Sequence, residues 1–205
     1  IQNTYAELTK LIEKVPFEFQ KSIADELFDV LEPNMSFYYN HFRNLTFDLL
    51  RLFARYPDLH LAYAQFLDKV LKQPNINSEN NRSFWSYSSS SYESTLESEL
   101  VTLKRRLYEA QKQTDKIPAL LGRFQHIDKF RKEYVEYCVG IKDYAEARKV
   151  VEKFLGEKNL ISSGTRVDKF WFEMLLKVCQ MQKDLQGQIN ALRLQITINS
   201  YEDML

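Results

Sequence analysis

The 205 residues, 44% hydrophobic and 27% charged, are enough for one domain or two small ones with a genuine core. The 28 basic and 28 acidic side chains cancel, which argues against a dedicated nucleic-acid binder, and two cysteines are too few for a disulfide-built scaffold. Five glycines and five prolines, against 14 Phe and 12 Tyr, favour long helices with bulky packing over a turn-rich sheet protein.

Residues 3–14 and 17–32 read as two helices. Leu8, Leu11 and Ile12 form an apolar stripe in the first, and Ile23, Leu27, Val30 and Leu31 in the second. Pro16 suits a helix start, where its missing N–H is tolerated, and Pro33 is expected to end the second helix. A long aromatic helix follows over 35–55, with Phe37, Tyr38, Phe42, Leu45, Leu49, Leu52 and Phe53, and Pro57 breaks it. Residues 58–72 then carry Leu61, Phe66, Leu67, Val70 and Leu71 along one side. Residues 1–73 are therefore expected to form N-terminal helical hairpins.

Residues 74–92 are Asn- and Ser-rich, with the run Ser88 to Ser91, and are expected to be a flexible loop that buries too little to order itself. The serine run is also a candidate for phosphorylation. Phe84, Trp85 and Tyr87 are out of character there; they are expected to dock back on the helices, the alternatives being a short linear contact for a partner, with Trp85 the candidate, or simple exposure. A helix resumes near 93 and reaches about 113, with Leu96, Leu100, Leu103 and Leu107 at steps of four, three and four. Two heptads are too short for a coiled coil, so packing within the domain is expected. This helix carries the densest basic cluster, Lys104, Arg105 and Arg106, readable as a solvated or salt-bridged face or as a phosphate or membrane contact. Asp115 is a plausible cap for a helix opening at Ile117 and Pro118.

The strongest signal is an echo. Phe130-Arg-Lys-Glu-Tyr-Val-Glu-Tyr-Cys138 returns further along the chain as Trp171-Phe-Glu-Met-Leu-Leu-Lys-Val-Cys179. In the same register Lys142-Asp143-Tyr144 answers to Lys183-Asp184-Leu185, and Val150-Val151 to Ala191-Leu192. Two helices joined by a tight turn cannot each bury a full apolar face alone, so a shared spacing implies side-by-side stacking of hairpins. Cys138 and Cys179 are then small buried side chains, one per hairpin.

The segment Lys142-Asp-Tyr-Ala-Glu-Ala-Arg-Lys-Val-Val-Glu-Lys-Phe154 resembles the second helix of a tetratricopeptide repeat, with Tyr144 at the turn aromatic, Ala147 at the characteristic small position and Val151 at the next bulky one. Phe154 stands where that family usually has a small residue, and Val135 replaces its usual Gly or Ala. The next unit has Gln188 and Gln195 at the places of Ala147 and Phe154. The period set by Cys138 and Cys179 is longer than that family's, and Gly156 through Thr165 supplies the longer connection. The likeness covers residues 128–196, is shared with atypical helical-repeat scaffolds of large assemblies, and implies an all-α stack of antiparallel hairpins over 93–205. It also implies peptide or subunit binding without chemistry. In that family the first helices line the concave groove, which carries over to Lys132, Glu136, Glu173, Lys177 and Gln180 as candidate partner-binding residues.

No catalytic, cofactor-binding or metal-ligating residues are expected. There is no glycine-rich phosphate loop, no HExxH or CxxC pattern, and His41, His60 and His126 are not paired at helical spacing. The expected function is a non-catalytic scaffold or adaptor subunit that holds protein partners in a larger complex. The alternative is a nucleic-acid or anionic-membrane adaptor using Lys104, Arg105 and Arg106 with Arg123, Arg131 and Lys132. No apolar run is long enough to span a membrane and no signal peptide is visible, absences that carry little weight; two cysteines inside apolar helical segments favour an intracellular location, cytoplasmic or nuclear. The sequons at Asn34, Asn44 and Asn81 leave secretion open as the alternative, although the first two fall in expected helices, where glycosylation is disfavoured.

Overall fold

The structure, a computed structural model, describes Glu7 and residues 10–73, 96–157 and 168–202. Among the described residues every regular element is helical and none is a strand. The loop expected at 74–92, with Trp85, lies outside the described residues. The chain divides into two compact units, Ile1–Ile117 and Pro118–Leu205.

In the first unit, α1 (Phe17–Phe53) is broken twice, at Asn34 (φ −120°, ψ 16°) and Phe42 (φ −134°, ψ 28°). The first break follows Pro33, whose ring clashes with the preceding turn and whose nitrogen has no hydrogen to donate. The Asn34 side-chain amide donates to the Val30 carbonyl at 3.1 Å. The helix therefore kinks at Pro33 where a full stop was expected. Pro57 opens one 3-10 turn (Pro57–Leu59) that leads into α2 (His60–Val70). The third helix, α3 (Leu96–Ala110), packs on both.

The core of this unit is aromatic. Phe28 stacks on Phe66 (centroids 4.9 Å apart) and on Tyr63 (5.5 Å), and meets Phe53 edge-on. The buried face of α1 is Ala24, Phe28, Leu31 and Met35, at steps of four, three and four, whereas Val30, expected inside, is exposed. Leu61 of α2 is likewise exposed, and its buried face is Tyr63, Phe66, Leu67 and Val70. The leucine stripe 96, 100, 103 and 107 of α3 is wholly buried. Burial leaves the Tyr63 hydroxyl without a hydrogen-bond partner and pushes its phenol well above the ordinary value.

The second unit contains α5 (Asp128–Gly140), α6 (Tyr144–Glu157), α7 (Lys169–Met181) and α8 (Leu185–Glu202), each packed on the next. A short α4 (Ile117–Arg123) precedes them. Asp115 falls within the 3-10 turn Thr114–Lys116 that leads into α4.

One turn closes both helix pairs. Lys142 and Lys183 adopt left-handed backbone, at φ 64° and 57°. The Asp143 N–H donates to the Cys138 carbonyl at 2.8 Å and the Asp184 N–H to the Cys179 carbonyl at 2.9 Å. Inside these lie the bonds from Lys142 N–H to Val139 and from Lys183 N–H to Gln180. Together they form the Schellman pattern, which satisfies the carbonyls at a helix end. Each aspartate then caps the next helix: Asp143 Oδ1 accepts from Glu146 N–H at 3.1 Å, and Asp184 Oδ1 from Gly187 N–H at 2.9 Å. The same lysine geometry ends α3 at Lys112 (φ 57°). Lysine is strained in this conformation and glycine is not. Lys142→Gly and Lys183→Gly are each expected to raise stability by about 0.5–1 kcal/mol, the relief of strain exceeding the added unfolded-state entropy, as measured by urea unfolding.

Candidate functional site

Cys138 and Cys179 lie in a single core with Ala147, Val151, Phe154, Trp171 and Val178. Phe154 stacks on Trp171 with centroids 4.0 Å apart. This accounts for a bulky residue at a position where the resembled family prefers a small one: the ring reaches from α6 to α7. In the second pair the small residue is Gly187, buried one position before Gln188. Sequence alignment of the two pairs missed it, because the register that matches Cys138 to Cys179 sets Gly187 against Glu146.

Both thiols are free, and burial pushes both upward from the ordinary cysteine value. A nucleophilic or metal-binding thiol needs the opposite shift. Among the described residues no group of three or more His, Cys, Asp or Glu is placed to hold a metal ion.

The residues carried over as partner-binding fall on α5 and α7. Glu136 of α5 is exposed, as are Glu173, Lys177 and Gln180 of α7, which share one face at steps of four and three. Lys132 is half-buried: its ammonium pairs with Asp168 and lies over the Phe170 ring, 5.3 Å from the centroid. Asp168 caps α7 through Phe170 N–H, and the Lys132 ammonium, with that N–H second, holds its carboxyl below the usual range. Glu173 pairs with Lys169 one turn away at 2.8 Å. In the register of the two cysteines the helices carry inverted charges, Lys132 against Glu173 and Glu136 against Lys177. The face is charged, mixed in sign and mostly solvated.

The basic cluster does not converge. Lys104 is buried and paired with Asp68, Arg105 pairs with Glu109 at 3.0 Å, and only Arg106 is exposed. The run of three cations thus points in different directions around α3, as successive residues on a helix must.

The two helix pairs of the second unit are joined by Arg148 of α6. Its guanidinium bonds Asp184 at 2.7 Å in the α7–α8 turn and Glu152 at 2.7 Å on its own helix. The Asp184 carboxyl is held below the usual range first by the Gly187 N–H and then by Arg148. Among the described residues no helix is long and apolar enough to cross a membrane. Comparison with protein-family models, with curated proteins and with solved structures finds no match to this chain.

Proposed function

We propose that this protein is a non-catalytic helical-repeat scaffold or adaptor subunit, its second unit a tetratricopeptide-like stack that holds protein partners within a multi-subunit complex. The observation that carries the reading is the recurrence, at Lys142-Asp143 and again at Lys183-Asp184, of one turn: a left-handed lysine, a Schellman cap and an aspartate N-cap, with a buried cysteine carbonyl as acceptor. Stacked hairpins set by such turns leave an extended face whose role is binding. The partner surface is the solvated side of α5 and α7, with Glu136, Glu173, Lys177 and Gln180 making the contacts and Lys132 at its edge. Buried, unactivated thiols fit a reducing compartment, the cytoplasm or nucleus.

The test is affinity capture with the whole chain and with a variant carrying Glu136→Lys, Glu173→Lys, Lys177→Glu and Gln180→Ala together. A defined set of proteins retained by the parent and lost by the variant is expected. Retention of nucleic acid instead, falling steeply with salt, would favour an adaptor for anionic ligands and overturn the reading.

A further inference from the structure

We draw no further inference here: the strongest candidate, the open apolar stripe of α8 that exposes Leu185, Leu192 and Ile196, carries nothing, because nothing in the structure shows what covers it.

Discussion

Phe154→Ala is expected to lower the unfolding free energy of the second unit by about 3–5 kcal/mol. The ring is buried, stacks on Trp171 at 4.0 Å and lies under the Arg131 guanidinium, 4.9 Å from its centroid. Truncation removes contact area and leaves a cavity between α6 and α7 that neighbouring helices can close only in part. Tyr144→Ala, by contrast, removes a half-buried ring at the turn and should cost about 1 kcal/mol. The two tryptophans are Trp85 and Trp171, so a Trp85→Phe background makes Trp171 the reporter, and urea unfolding followed by its fluorescence reads this unit directly. Equal effects at 144 and 154 would contradict the stacking of Phe154 on α7.

Gly187→Ala should destabilise by about 1–3 kcal/mol, although alanine is the better helix former by about 1 kcal/mol. A methyl group at 187 would sit 2.5 Å from Asp184 Oδ2 and 2.8 Å from Cys179 Sγ. Neither atom is free to retreat. The carboxylate is held by the Gly187 N–H and by Arg148, and the sulfur is enclosed in the core. Moving Asp184 gives up the cap of α8 and the tie to α6 together. Gly140→Ala is the control: an added methyl there meets nothing within 4 Å, so the change should be neutral or slightly stabilising. Urea midpoints of the two variants moving in the same direction would remove the close approach from the account of this turn.

Much of the local structure was legible. The apolar period of Leu96, Leu100, Leu103 and Leu107 identified a buried helix face, and all four are inside. The burial of Cys138 and Cys179 followed from their matched places in apolar helical segments. The turn at Lys142-Asp143 and at Lys183-Asp184 was visible as a recurring pair, though the left-handed lysines were not, because nothing in a lysine announces positive φ. Faces of the aromatic helices were harder. α1 has more apolar residues than one side can bury, so Val30 and Met35 are equivalent by composition, and only the position of Tyr63 and Phe66 on α2 decides that Phe28, Leu31 and Met35 turn inward.

Among the candidate site residues, Glu136, Glu173, Lys177 and Gln180, carried over from the resemblance to a tetratricopeptide repeat, are exposed on their helices. Lys132 and Lys104 are drawn in instead. Their partners, Asp168 and Asp68, stand on other elements far away in sequence, and a cation looks solvated until the carboxylate that draws it in is located. The same holds for Gly187 and for the open stripe of α8. Sequence by itself determined the helices and the turn period, because these depend on interactions within a few residues. Tertiary structure decided which apolar face is covered, which charges are withdrawn from solvent and where backbones meet, because each depends on groups that only packing brings together.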